Sequence, residues 1–327
     1  MRVLKVIGWI LLILGALSTS ALVLLELLPI VQTWATVLLY FSTFIPMMWI
    51  PAVVAIVGLA VVLKGRWKFA AAVLALVALL VWGLPVMPRN QGVVLNVEAF
   101  PRDLGVVSAN ARYGGADVEQ ILAEAGDQVQ VLAFQEYTPE FDERLREAGA
   151  FDDFPYHVGE ARTSAGGTVL LSRVPVEIVA EAEGLPFLNF VAKLTVDGRD
   201  WYVGNIHSTG PHFGAREWAE DGDAIVEMVR PYLDEAVVLV GDFNAIEEHY
   251  TLRRLAEAGF RNAMDYEPFY GGLERWQPTW RMGWVVPPFA RIDHVYVGNG
   301  AAADVPYHFE VDGTDHKAIR AYFYGNR

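Results

Sequence analysis

The 327-residue chain has no cysteine, and beyond Lys68 it has no run of basic side chains. The first absence excludes disulfides, thiolate metal sites and thiol nucleophiles, and it is compatible with an extracytoplasmic location. The second argues against gripping a polyanion through bulk charge, since Lys and Arg on phosphates carry most nucleic-acid affinity. Acidic residues are equally scarce at the front of the chain. Of 39 in all, only Glu26 lies within the first 88 residues, beside five basic ones (Arg2, Lys5, Lys64, Arg66, Lys68); the remaining 239 residues therefore hold 38 acidic against 20 basic. The 54% of hydrophobic residues is thus segregated rather than spread. A greasy, slightly basic front followed by an acidic body excludes disorder, low complexity and a wholly soluble chain. No internal repeat is present.

Residues 6–25 form an uncharged run of 20, enough at helical rise to cross a hydrocarbon core of roughly 30 Å. A cleaved signal peptide is the alternative, but two more apolar runs follow it. Residues 27–63 are a second uncharged run, too long for one straight span and too short for two, with Pro46 and Pro51 to interrupt it. This predicts an interfacial or re-entrant piece at 34–44 and a span from about 45 to 63. A third span is expected at 69–86. Lys64, Arg66 and Lys68 crowd the connection before it, so the positive-inside rule puts that connection and the N-terminus in the cytoplasm. Three spans then place residue 89 onward outside, in a multi-pass protein of the cell membrane.

The expected organisation is a membrane domain at 1–88, a linker and first strand at 89–103, with loose alternation at 92–100, and a globular domain at 104–327. Strand-like apolar runs fall at 104–109, 129–134, 168–171, 192–196, 201–206, 236–240, 292–297 and 318–324. Helical spacing falls at 116–124, 141–148, 217–233 and 252–258. Strands mixed with helices in this order imply an α/β domain. Polar residues stand where short apolar strands end, which is where α/β sheets collect their chemistry. Asn110, Gln135-Glu136, His207 and Gly241-Asp242-Phe243-Asn244 each follow such a run; Asp293 lies within one, and Asp315-His316 precedes the last. Singly, each reads as a helix cap, a turn residue or a structural histidine.

Together, in this order, they resemble the endonuclease/exonuclease/phosphatase superfamily, metal-dependent phosphoesterases that include DNase I, abasic-site endonucleases, inositol-polyphosphate phosphatases and neutral sphingomyelinases. The resemblance covers about residues 104–324. Gly241-Asp242-Phe243-Asn244 and Asp315-His316 are its most specific parts, and the strand beginning at Gly166-Gly167-Thr168 also fits. It implies a DNase I-like four-layer α/β sandwich, two mixed sheets flanked by helices, behind the N-terminal transmembrane helices.

It also implies roles. Glu136 would be the first ligand of Mg²⁺ or Mn²⁺, with Asp315 and Asn110 completing the metal side or Asn110 reaching the phosphate. His316 would be the general base, or the electrostatic partner of the phosphate where an Asp is the base, and Asp293 would orient it. Asp242 would orient or deprotonate the attacking water, Asn244 would hold water and phosphate, and His207 would donate to a non-bridging oxygen. Arg112 and Arg216 are candidate clamps for a further phosphate, each with a surface salt bridge as the plain alternative. Trp280 is expected on the site wall. His212, His294, Glu247 and His249 read as structural or solvated.

A membrane anchor favours a substrate confined to the same layer, so a lipid-linked phosphate ester or diphosphate is the expected substrate. The multi-span architecture is similar to bacterial membrane phosphatases associated with teicoplanin and vancomycin resistance. The alternatives are a nuclease, a sphingomyelinase-like phosphodiesterase, or a catalytically dead scaffold, the last disfavoured by the full set of site residues. The bilayer is the one partner implied besides substrate; nothing in the sequence points to a protein partner.

Overall fold

The computed structural model describes residues 2–83, 102–266, 277–282 and 289–325. The expected first strand at 92–100 lies outside them. Four helices come first: α1 (Arg2–Leu27), α2 (Thr36–Ser42), α3 (Trp49–Val62) and α4 (Trp67–Gly83). Residues 3–27 and 45–62 are long and apolar enough to cross a membrane; α4 is described over 17 residues to Gly83, and positions 84–86 of the expected third span lie outside the described residues. The helices α1 and α3 run antiparallel with their backbones in contact. A Cβ on Gly15 would meet the Pro51 carbonyl at 2.6 Å, and one on Gly58 would meet the Gly8 carbonyl at 2.6 Å. Small residues permit this approach, as at helix contacts in lipid.

The segment expected as an interfacial or re-entrant piece docks on the globular domain. Short 3-10 turns at 29–34 and 45–47 flank α2, consistent with prolines at 29 and 46 at the first turn of each. Leu39 on α2 is completely buried in a globular-domain cluster with Trp218, Ile206 and Leu255. A six-residue hydrogen-bonded turn and a seven-residue helix with one apolar plug form this docking element.

The globular domain follows as β1 (Leu104–Asn110), α5 (Val118–Ala125), β2 (Val131–Gln135), α6 (Pro139–Glu147), α7 (Ala150–Asp153), β3 (Tyr156–Glu160), β4 (Thr168–Ser172), β5 (Val176–Glu181), β6 (Phe190–Val196), β7 (Arg199–His207), α8 (Ala215–Val229), β8 (Val237–Asp242), α9 (Tyr250–Glu257), β9 (Arg261–Asn262), β10 (Asp293–Val297), β11 (Ala301–Ala303), β12 (Tyr307–Glu310) and β13 (Lys317–Gly325). One sheet has the order β11-β13-β1-β2-β4-β3, with β12 also on β13; the other has the order β5-β6-β7-β8-β10-β9. Both are mixed. The pairs β1/β2 and β7/β8 are parallel, and their neighbours are antiparallel.

Alternation within apolar strands builds four layers. Val106, Val131, Ala133, Val238 and Val240 point into the core between the sheets, where they meet Phe190, Trp201 and Phe323. Their neighbours Val107, Leu132 and Phe134 face α5 and α6, and Val237 and Leu239 face α8 and α9. Strands covered on both faces must be apolar throughout, which is why the central ones read as continuous runs. The helix expected at 217–233 ends at Val229, because Pro231 cannot continue it.

Candidate active site

Topology gathers the polar strand ends. The two parallel pairs finish at the same edge, where Asn110 pairs with Gln135 and His207 with Asp242. The antiparallel β10 begins there, setting Asp293 opposite Asp242. The chain entering β13 brings Asp315 and His316 to the end of β1, where the Thr314 hydroxyl donates to the Asn110 carbonyl at 2.9 Å. Gly241 is required at this edge: at φ +137° a Cβ would lie 2.0 Å from the Ile206 carbonyl oxygen. Among the described residues, four of the five non-glycine positions with positive φ sit here, namely Arg112, Tyr113, Glu136 and Asn244. Such conformations cost energy and persist where surrounding bonds hold them.

On the side of the second sheet, the three buried groups Asp242, Asp293 and His316 have ligand atoms within 4.8 Å of one another. Asp293 accepts from His316 Nδ1 at 3.1 and 3.0 Å through its two oxygens, and His316 Nε2 lies 3.8 Å from Asp242 Oδ2. Burial opposes the charged imidazole, but the carboxylates of Asp293 and Asp242 outweigh it and hold His316 up at about 10. Burial pushes the Asp242 carboxyl up to about 7 against the opposing His316 charge. Asp242 accepts from Asn110 Nδ2 at 3.0 Å and from the Asn244 amide N–H at 2.8 Å; Asn244 Nδ2 also donates to the Ser208 carbonyl at 2.9 Å. His207 is stacked on Phe187, with ring centroids 4.4 Å apart, and lies 4.0 Å from Asp242. Burial, with the His316 charge adding to it, pushes its imidazole down to about 3.

On the side of the first sheet, Asn110 Nδ2 donates to Glu136 Oε1 at 3.2 Å, and the Tyr113 N–H donates to Glu136 Oε2 at 2.8 Å. Arg112 pairs with Asp315 at 3.2 Å, and its N–H donates to Asn110 Oδ1 at 2.9 Å. Burial raises the Glu136 carboxyl above its ordinary value in spite of these bonds. Glu136, Asp315 and Asn110 offer only oxygen, the donor type of a hard divalent ion, and a cation beside them would offset that burial. The set fits a metal.

Trp280 bridges to both Ala290 and His316 through its backbone and stands on the wall beside Asn244. Arg216 is not brought in. Its side chain is 80% exposed and paired with Glu220 one turn along α8, the surface pair that was its plain alternative. His249 and His294 are buried and bonded to nearby backbone, and Glu247 forms a buried pair with Arg291. Two supports escaped the sequence. Asn189 accepts from the His207 N–H at 2.7 Å and donates to its carbonyl at 2.9 Å, fixing His207 on both sides. Thr279 accepts from the Ile292 and Asp293 N–H groups at 3.1 Å each. Only its position before Trp280 marked Thr279, and no local signal marks Asn189.

Comparison with known proteins agrees with the geometry. The family model described as Endonuclease/Exonuclease/phosphatase family matches residues 96–316. No curated protein matches the chain. Among solved structures, TDP2 from D. rerio complexed with a single-strand DNA product has a TM-score of 0.52 at 14% identity, covering 68% of this chain and 98% of that one. The 3' phosphatase NExo from Neisseria, bound to a product DNA hairpin, has 0.51 at 16%, covering 68% and 100%. A family protein from Bacteroides vulgatus has 0.53 at 13%, covering 69% and 100%. At these identities the likeness is one of fold. The family is divalent-metal dependent, and the buried acidic and histidine cluster accords with that. Fold, cluster and family model converge, and the chain belongs to the endonuclease/exonuclease/phosphatase family of phosphoester hydrolases.

Proposed function

We propose that the protein is a membrane-anchored, divalent-metal-dependent phosphoesterase acting on a lipid-linked phosphate ester or diphosphate at the outer face of the membrane. The observation that carries this reading is the clasp between the α1–α3 connection and the catalytic domain. Glu26 pairs with Arg253. Gln32 Nε2 donates to the Leu25 and Glu248 carbonyls at 3.1 and 3.0 Å, and its Oε1 accepts from the Tyr250 N–H at 3.0 Å. That connection lies at the opposite end of the α1–α3 pair from Lys64, Arg66 and Lys68. If the basic end is cytoplasmic, the connection and the domain clasped to it are both outside, as a third crossing by α4 requires.

The chemistry follows from the protonation states. With Nδ1 held by Asp293, His316 is an imidazolium at neutral pH and directs Nε2 at a phosphate oxygen, acting as electrostatic partner rather than base. Asp242 takes a proton from water as the water oxygen bonds to phosphorus and the bond to the leaving oxygen breaks. Neutral His207 and the amides of Asn244 and Asn110 position water and phosphate. Glu136, Asp315 and Asn110 would hold Mg²⁺ or Mn²⁺, which neutralises charge on the phosphate when bound. Arg112, beside Asp315, is placed to meet a phosphate as well.

The test uses the full chain in nanodiscs with Mg²⁺, assayed for release from polyprenyl diphosphates, sphingomyelin, phosphoinositides and single-stranded DNA. Polyprenyl diphosphate should turn over at least about tenfold faster than DNA, in keeping with the acidic surface; faster DNA cleavage overturns the substrate assignment. Protease added to intact spheroplasts should cut beyond Arg89. Protection until lysis overturns the sidedness.

A further inference from the structure

A cavity of about 220 Å³ lies between the membrane connection and the catalytic edge. Tyr40, Thr43 and Phe44 line it from the connection, and Ile246, Phe289, Ile292 and Asn244 line it from the catalytic domain. The cavity therefore starts at the reaction centre: Asn244 bonds to Asp242, and Ile292 immediately precedes Asp293. Beyond Asn244 and His212, which lie close together beside Gly210, it offers little to a charge. His249, which also lines it, is neutral, burial having pushed its imidazole down to about 3, and its Nδ1 already accepts from the Ile246 N–H. At the membrane side, Trp34, Val37, Tyr40 and Phe44 are exposed at helical spacing. A cluster of large apolar residues in the open is costly in water and ordinary at a headgroup boundary.

We propose that this cavity is the subsite for a hydrocarbon chain esterified directly to the scissile phosphate, or to the phosphate beside it in a diphosphate, with the membrane connection as one of its walls. This rests on the phosphoesterase reading above and adds the part of the substrate that gives selectivity. The direct ester follows from the lining. A glycerolipid places ester carbonyls between its phosphate and its tails, and those groups would enter next to Asn244 against Ile246, Ile292 and Phe289 with few partners, at a desolvation cost. An alkyl or isoprenyl phosphate puts carbon there at once. Thr43 and Phe44 become specificity-determining residues of an enzyme whose reacting groups lie more than sixty residues further along the chain.

The experiment titrates the full chain in nanodiscs with alkyl phosphonates of two to eight carbons, which are not hydrolysed, and reads binding by calorimetry. Affinity for the unaltered protein should rise about fourfold per methylene until the cavity is full. Thr43→Phe, which fills the cavity from the connection side, should flatten that rise. Phe44→Ala, which removes a wall without adding bulk, should weaken the eight-carbon ligand about tenfold relative to the two-carbon one. Partition into the bilayer is common to all three proteins, so a difference in slope reports the cavity. Equal slopes in all three overturn the subsite, and tighter binding of a glycerol-linked phosphonate of equal carbon number overturns the direct ester. Soluble aryl phosphates (monoester, diester and diphosphate) keep the two readings apart. No metal-dependent turnover of any of them by the unaltered protein overturns the phosphoesterase assignment, whereas turnover with equal slopes overturns the subsite alone.

Discussion

Asp242, Asp293 and His316 are 2%, 4% and 6% exposed, while across Asn110 the side chains of Arg112 and Asp315 keep 36% and 20% of their surface in solvent. The buried group sits at the ends of strands in register and is held by hydrogen bonds of ordinary length. The open group sits on the turn after β1 and the segment before β13, and its ion pair can rearrange at little cost. The contrast matches the two duties proposed for these groups. Proton handling needs fixed geometry and low dielectric, whereas a metal ion and a phosphate have to enter and leave.

The strongest way to break this division is at the buried pair. His316→Ala should lower turnover by on the order of 10²-fold or more, and Asp293→Asn should lower it too. The double variant should be scarcely worse than His316→Ala alone, since both remove parts of one device. Turnover and thermal midpoint for the set decide it: additive rate losses that track falls in midpoint would make both residues scaffold.

The open half should fail differently. Glu136→Gln keeps shape but removes charge, so the apparent Mg²⁺ affinity and turnover should fall together, by about 10–100-fold in affinity. Excess Mg²⁺ should recover much of the rate, as it cannot for His316→Ala. Metal titrations of activity measure this, and an unchanged Mg²⁺ midpoint would place the ion elsewhere.

How much of this was legible in the sequence follows from what is local. Central strands such as β1, β2 and β8 are buried on both faces and read as apolar runs ended by a polar residue. The strands β3, β5 and β12 were missed because they are largely exposed and mix His157, Glu160, Glu177 and Glu310 with apolar residues. Site residues came from strand ends arranged in a family order. Asn189 had no such mark, since its bond to His207 arises only once β6 lies beside β7. Arg216 reads identically in sequence whether it faces phosphate or Glu220. The clasp through Gln32 joins positions 218 apart and has no sequence signature at all.

Two smaller effects sharpen the comparison with parts of the fold that only support the site. Asp221, buried on α8, accepts from the Thr209 N–H and hydroxyl two residues beyond His207. Burial, opposed by those bonds, pushes its carboxyl up to about 6 from an ordinary 3.8. The folded state then binds more protons than the unfolded one between about pH 4 and 6, so stability is greatest below that window and falls as pH rises through it, by about 3 kcal/mol. Asp221→Asn should lose this dependence, which thermal midpoints across pH 4–7 would show as converging slopes if the assignment is wrong. Gln32→Ala should strand the Tyr250 N–H and the Glu248 carbonyl and cost about 1–3 kcal/mol. Limited proteolysis should find the 27–44 connection cut faster in this variant, with an unchanged rate meaning that Leu39 alone holds it.

The clasp also imposes an order in time. Glu26 is made 227 residues before Arg253. At ~5–20 residues per second the ribosome needs roughly 10–45 s to supply that partner, and β8 and α8 must still assemble before Leu39 has a pocket to enter. In the membrane-anchored protein proposed above, α1 would through that interval already be in the bilayer with a carboxylate at its end, and Gln32 would have only its bond to Leu25. Both would have to stay hydrated at the surface, so the connection would wait in the headgroup layer as an unfinished socket. Assembly of the enzyme is complete only when its last-made half returns to the part that was made first.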